Sequence, residues 1–302
     1  MPGIKLAEPV CIKYTSVQNF LAVVNQHYDQ LRQHNTENQL LEFSGVSHAD
    51  FTLLSEDSTR PCKSAKFHYL PNSQILRVKI MPGWDHEILI ALLRDLIESQ
   101  LRSMNVKHEV MTLGSPKNVF GSWVKEPDLC WSLKTSCSQS RCIVEIGTSE
   151  TARQLSVDAH GWLESPHSSA KAVITVAFKY IDAEKALNPL TISVWEPVDR
   201  ISSVDTRRSL LTTARTAALD VWNVAGTLAV TGFRVVKDEE DIQMTTNEIR
   251  LPFDLFIGRP ASNEGERDIV LTEVMVVGLV RELLECRRHI LRPGRRIKES
   301  NV

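Results

Sequence analysis

A glutamate sits inside the apolar run CIVEIG, residues 142–147, and an aspartate follows a proline in KEPDLCW, residues 125–131. Both runs have the apolar, β-branched and aromatic content of buried strands. A carboxylate left without a partner in such a strand costs several kcal/mol. Any fold of this chain must therefore bring Glu145 a proton, a base or a metal ion. It must also find a partner or a task for Asp128.

The pattern around these runs alternates between helical and extended periods. Phe20, Leu21, Val24, Tyr28 and Leu31 recur at helical spacing across Val17 to Gln33. The segment from Gly45 to Cys62 is rich in Ser, Asp and Thr and reads as a loop or flexible joint. A hairpin follows, with Ala65–Leu70 and Gln74–Ile80 joined by Pro71-Asn72-Ser73. Met81-Pro82-Gly83 breaks it, and Asp85 offers the N-cap of a helix to Ser103 whose Leu89, Leu92, Leu93, Leu96 and Ile97 form one apolar face. Glu87, Arg94 and Glu98 share the other face.

Strands are expected over Val106–Leu113, Phe120–Leu133 and Arg141–Ile146, then a helix from Glu150 to Leu163, then strands over Ala170–Lys179 and Leu190–Trp195. Further on, Thr206–Leu219 fits helix or strand, Ala225–Val236 a strand and Lys237–Asp241 a charged turn. Leu251–Ile257 is apolar, and Leu271–Arg288 reads as a last helix facing a core through Val274, Val277, Val280, Leu283 and Leu284. This order describes an α/β chain with a mixed central sheet flanked by helices. The expected organisation is an N-terminal helical extension over 1–63, a core over 64–200 and a C-terminal extension over 201–302 packed on it.

With 302 residues the chain can bury a sizeable core. Its 42% hydrophobic and 24% charged content excludes collagenous, coiled-coil and wholly disordered classes. A net charge of −2 leaves no global basic field, so contact with nucleic acid has to come from a local patch. Arg287, Arg288, Arg292, Arg295, Arg296 and Lys298 form such a patch, although the same residues suit a solvated tail. No apolar run reaches the roughly 18 residues of a membrane span. The six scattered cysteines lack zinc-knuckle spacing, which suggests reduced thiols and an intracellular protein, cytoplasmic or nuclear.

The stretch KEPDLCWSLKTSCSQSRCIVEIGTSE resembles the core of the PD-(D/E)XK, or restriction-endonuclease-like, superfamily. MPGWDHE, LGSPKNVFGSWVKEPD, VEIGTSET and DAHGWL together look like a group of uncharacterised fungal proteins with that core. The resemblance implies a long helix, a mixed sheet with the acids at its centre and a helix after the glutamate strand. It implies a Mg²⁺- or Mn²⁺-dependent phosphodiesterase acting on DNA or RNA, with Asp128 and Glu145 as metal ligands and Glu87 as an additional one. It also calls for a lysine two residues after the glutamate, where this chain has Gly147.

A cation from elsewhere could fill that gap, and Lys125, three residues before Asp128, is the best candidate, although in a regular strand residues 125 and 128 point to opposite faces. Glu126 shares parity with Asp128 and is an alternative second carboxylate, and Gln154 on the following helix is another polar residue placed to face the site. If the lysine's absence means lost hydrolysis, the chain is a nuclease-fold module that binds nucleic acid or protein.

Structural roles are open for the same residues. Asp128 could be a turn residue, Glu145 a buried partner of Arg141 or Arg153, and Glu87 a first-turn residue on the helix dipole. His86 and His160 read as surface or packing histidines, and Trp123, Trp131, Trp162 and Trp195 as core. Ser149 lies in GTSE, without a nucleophile-elbow pattern, and GSPKNVFG matches no phosphate-binding loop.

Overall fold

The computed structural model describes residues 10–33, 35–36, 38–56, 65–80, 83–120, 123–147, 152–165, 167–178, 180–182, 186–187, 190–197, 222–236, 239–244 and 248–291. In chain order the first elements are β1 (Val10–Lys13), α1 (Val17–Arg32), β2 (Leu40–Ser44), α2 (His48–Ser55), β3 (Ala65–Leu70) and β4 (Ile75–Ile80). Next come α3 (Trp84–Ser103), β5 (Val110–Leu113), β6 (Asn118–Phe120), β7 (Trp123–Lys125), β8 (Leu129–Leu133), β9 (Ser140–Gly147), α4 (Ala152–Glu164) and β10 (Ala172–Ala177). The remainder is β11 (Tyr180–Asp182), β12 (Ala186–Leu187), β13 (Leu190–Pro197), β14 (Trp222–Val236), β15 (Glu239–Met244), β16 (Glu248–Leu251), α5 (Phe253–Ile257), β17 (Ile269–Thr272) and α6 (Glu273–Leu291).

Two large sheets carry the architecture. The first has the order β1-β2-β4-β3-β7-β6, the second β15-β14-β13-β10-β9-β8-β5. Both are mixed: β1 runs parallel to β2 and β9 parallel to β10, while the other pairs are antiparallel. The segment from α3 through β5, β8 and β9 to α4 and β10 has the order expected of a restriction-endonuclease-like core: long helix, antiparallel strands, helix, and a strand returning parallel.

Strand alternation sorts side chains to the two faces of the second sheet. Leu129, Trp131, Cys142, Val144, Ile146, Ile174 and Val176 pack with Leu89, Leu93, Ile97 and Leu101 of α3 and with Val276, Leu279, Val280 and Leu283 of α6. Cys130, Ile143 and Val173 point the other way, to Ala159 and Trp162 of α4. The first sheet has its own core, in which Phe43, Phe67, Tyr69, Leu76 and Val78 meet Phe20 and Val24 of α1 and Phe51 and Leu54 of α2. The C-terminal part is tied to β8 and β9: Arg141 donates to the carbonyls of Leu255 (2.6 Å) and Asp254 (3.0 Å), and the Trp131 and Phe256 rings lie 5.4 Å apart.

Several elements differ from the sequence reading. The expected loop between Gly45 and Cys62 contains α2, capped by Ser47, whose Oγ accepts the Asp50 N–H at 3.1 Å. That stretch is rich in Ser and Asp because it starts a helix; residues 57–64 lie outside the described ones. The N-cap of α3 is Gly83 rather than Asp85, which pairs instead with Arg287 at 3.4 Å. Only Val110–Leu113 of the expected strand from Val106 is extended, because a 3₁₀ turn over Lys107–Glu109 precedes it. The apolar run from Phe120 to Leu133 is divided among β6, β7 and β8 in two different sheets.

The expected turn at Lys237–Asp241 overlaps β15, which pairs with β14; Thr206–Leu219 lies outside the described residues. Among those residues no helix is long and apolar enough to cross a membrane.

The last helix faces the core through Val276, Leu279, Val280, Leu283 and Leu284, while Val274 is 81% exposed. Urea unfolding of Leu283→Ala should therefore show a loss of about 2–5 kcal/mol, and Val274→Ala should stay within about 0.5 kcal/mol of the parent.

Candidate active site

The site forms where the chain leaves one sheet for the other. Lys125 ends β7, whose register pairs it with His68 of β3, and Asp128 immediately precedes β8. Between them Pro127 has no N–H to continue a ladder. Its carbonyl accepts from Ser115 Oγ at 2.6 Å, and the Asp128 N–H already bonds the Val144 carbonyl at 3.1 Å. The crossing places a β7 side chain and a β8 side chain against the same point of β9.

Asp128 is buried. Its Oδ2 accepts the Ile146 N–H at 2.8 Å and lies 3.3 Å from both Lys79 Nζ and His86 Nε2. Its Oδ1 is buried with no hydrogen-bond partner. Glu145 points to the α4 face, where Oε1 accepts from Trp162 Nε1 at 2.5 Å and meets Lys125 Nζ at 3.2 Å. Its Oε2 is 4.0 Å from Lys79 Nζ. Lys125 also meets Asp158 Oδ1 of α4 at 2.7 Å, and its ammonium lies 5.2 Å from the centroid of the Trp162 ring, a cation–π contact. Glu126 is turned into the first sheet, accepting the Phe67 N–H at 3.1 Å.

Three carboxylates (Asp128, Glu145, Asp158) thus face two ammonium groups (Lys79, Lys125) and one imidazole (His86). Burial opposes the charged form of Asp128, yet Lys79, His86 and the Ile146 N–H outweigh it and hold this carboxyl well below the usual range. Asp158 is likewise burdened by burial and still shifted down, chiefly by Lys125. Glu145 goes the other way: burial raises it and the nearby Asp128 charge adds to the rise, against the pull of Lys125 and Lys79. The Lys125 ammonium is favoured over its desolvation by Asp158 and Glu145. His86 is raised in spite of burial because Asp128 stands beside it. Burial and the Lys125 charge together push His68 down to about 3, leaving it a neutral neighbour.

Two openings reach this cluster. An inner cavity of about 40 Å³, lined by His68, Lys79, Lys125, Glu145, Gln154 and Asp158, has room for little more than a water. A wider cleft of about 510 Å³ runs past Asp128, with Lys66, Glu87, Arg94, Glu98, Thr112 and Ser115 on its walls. Of these two openings the cleft is the larger, and Asp128, its side chain fully buried, borders it while Glu145 borders the inner cavity.

Of the residues singled out from the sequence, Asp128, Glu145 and Lys125 come together. Gln154 lines the inner cavity beside them. Glu87 lines the cleft, but its side chain is 67% exposed and turned to His86 Nδ1 at 3.2 Å. Arg141, a possible partner of Glu145, is occupied with carbonyls of α5. Of the two histidines read as surface or packing residues, His86 is buried with Nε2 3.3 Å from Asp128 Oδ2, and His160 pairs with Glu164 at 3.0 Å. Of the basic patch, Arg287 pairs with Asp85 and Arg288 is exposed on α6; Arg292, Arg295, Arg296 and Lys298 lie outside the described residues.

Lys79, His86, Asp158 and the Trp162 N–H are site groups the sequence reading missed. His86 lies three residues before Leu89 on the apolar stripe of α3, and Asp158 lies three after Leu155 and four before Trp162, so both positions carried a helical-period signal. Lys79 carried none, because Arg77 and Lys79 read as the outward face of an ordinary strand.

Among the described residues no group of three or more His, Cys, Asp or Glu side chains is arranged to hold a metal ion. The pair Asp128 and Glu145 nevertheless offers hard oxygens of the kind a divalent cation takes: among the described residues Asp128 Oδ1 is buried without a hydrogen-bond partner, and Glu145 Oε2 lies 4.0 Å from Lys79 Nζ. Glu87 shares the cleft with Asp128, and His86 stands between them, Nδ1 at 3.2 Å from Glu87 and Nε2 at 3.3 Å from Asp128.

No protein-family profile matches the chain, and no curated protein does. Among solved structures it is similar to a protein of Anabaena variabilis provisionally described as a nuclease of the group DUF820. The two are 13% identical with a TM-score of 0.36, over 51% of this chain and 82% of that one.

Because Lys125 neutralises two buried carboxylates at once, Lys125→Ala should lower the unfolding free energy by about 3–5 kcal/mol, measured by urea denaturation at neutral pH.

Proposed function

We propose that this protein is a metal-assisted phosphodiesterase of nuclease type acting on DNA or RNA. One observation carries the reading: two buried acids from adjacent strands converge with two lysines at a break between sheets, and a cleft opens on one of the acids. A buried ion cluster is a poor means of stabilising a fold, since apolar side chains of the same volume do as well or better. Perturbed ionisable groups gathered beside a cleft are what a reacting site requires.

The cation missing at Gly147 has two substitutes, Lys79 from β4 and Lys125 from β7, at 4.0 and 3.2 Å from Glu145. A Mg²⁺ or Mn²⁺ ion held by Asp128 and Glu145 would polarise a phosphate and lower the pKa of a water. The protein's own part is positional and electrostatic. His86 and the Ile146 N–H fix Asp128, and Trp162 with Lys125 fixes Glu145. Lys66 on the cleft wall offers charge to a phosphate, Arg94 being paired with Asp95 at 3.5 Å, and the basic stretch beginning at Arg287 would hold the nucleic-acid backbone. The fungal nuclease-like group is the kinship we favour, with work in cytoplasm or nucleus.

The second reading is a nuclease-fold module that binds nucleic acid or protein without cutting it. The Lys79 ammonium lying between the two acids favours it, because there a lysine already neutralises what a metal would.

Cleavage of labelled single- and double-stranded DNA and RNA with Mg²⁺ or Mn²⁺ separates the two. The hydrolytic reading predicts cutting that falls by about 10²-fold or more in folded Asp128→Asn and Glu145→Gln. A folded wild-type protein that retards these substrates on a gel but cuts none of them would leave the module.

A further inference from the structure

Three oxygens converge on the ammonium of Lys79: the Ile146 carbonyl at 2.8 Å, Asp128 Oδ2 at 3.3 Å and Glu145 Oε2 at 4.0 Å. All three are hard oxygen donors, one a backbone carbonyl and two from carboxylates, the donor class that suits a small hard cation. The same Asp128 carboxylate has its second oxygen buried and unpartnered, so its capacity for a cation is not exhausted by the lysine. The Lys79 side chain is nine-tenths buried, and it reaches the acids from the other sheet on a flexible four-carbon stem.

Each of these oxygens can serve an ammonium or a divalent ion. Both at once would bring three positive charges within a few ångströms of each other in a poorly solvated place, where repulsion is strong.

We infer that Lys79 is the resident counter-cation of the acid pair, and that a divalent ion binds to Asp128 and Glu145 only in competition with its ammonium. This rests on the proposed reading of the two acids as cation ligands, though not on hydrolysis itself. Lys79 thereby sets how readily the centre loads. In the metal-free protein it is the one ammonium shared by both carboxylates among the described residues, while His86 serves Asp128 alone and Lys125 serves Glu145. The other cations of the cluster do not duplicate that role. Lys125 binds the far oxygen of Glu145 and Asp158, and His86 meets Asp128 Oδ2 from α3.

Mn²⁺ titration of the full chain without nucleic acid, read from the paramagnetic resonance of free Mn²⁺, tests this. Lys79→Ala should bind Mn²⁺ at least about tenfold more tightly than wild type, and adding Asp128→Asn should abolish the gain. Equal or weaker binding by folded Lys79→Ala, or a gain that survives Asp128→Asn, would overturn the inference. If Lys79→Ala does not fold, Lys79→Gln makes the same comparison, because it removes the charge and keeps a donor for the Ile146 carbonyl. Tighter Mn²⁺ binding by the variant beside a wild type that cuts nothing would uphold the competition and remove only the hydrolytic reading.

Discussion

Burying three carboxylates at one point of a protein forces the surrounding elements to deliver two ammonium groups and an imidazole to that point. Asp128, Glu145 and Asp158 meet Lys79, Lys125 and His86 within 2.7 to 4.0 Å, and each of the six comes from a different element or from the segment joining two. β4 must end beside β9, β7 must hand the chain to β8 through a proline, and α3 and α4 must present a histidine and an aspartate at their buried faces. The cluster therefore sets the mutual placement of both sheets and both helices more tightly than apolar packing, which tolerates exchange of similar volumes.

Two consequences follow for the chemistry. The acids differ in environment: Asp128 is held ionised by Lys79, His86 and a backbone N–H, while burial and the neighbouring Asp128 charge shift Glu145 toward its neutral form. Environments that drive neighbouring carboxyls apart assign them different tasks. Access is also unequal, since the wide cleft meets Asp128 and the small inner cavity meets Glu145 and Lys125.

Much of this was legible in the sequence, for identifiable reasons. Glu145 betrayed itself as a charge in an apolar run, and Asp128 as an acid after a proline. Lys125 was harder because strand parity set it opposite Asp128; the parity argument fails since the two residues belong to different sheets, and alternation does not carry across Pro127. The helix at His48–Ser55 was hidden by its own capping residues. Lys79 could not be found at all: its role depends on β4 lying against the β8–β9 seam, a long-range fact that no local period records. The element order from α3 to β10 follows from patterning, whereas the pairing of β1 with β2 and the splitting of Phe120–Leu133 between sheets depend on tertiary partners.

The account stands on the acid pair being a cation seat occupied by the protein's own lysine. Diffraction from crystals soaked in Mn²⁺, with the ion located by its anomalous signal, addresses that most directly. The predicted result is an ion bound by Asp128 and Glu145 with Lys79 Nζ withdrawn from both carboxylates. An ion bound elsewhere, or none at saturating Mn²⁺, with Lys79 still in its present contacts, would contradict it.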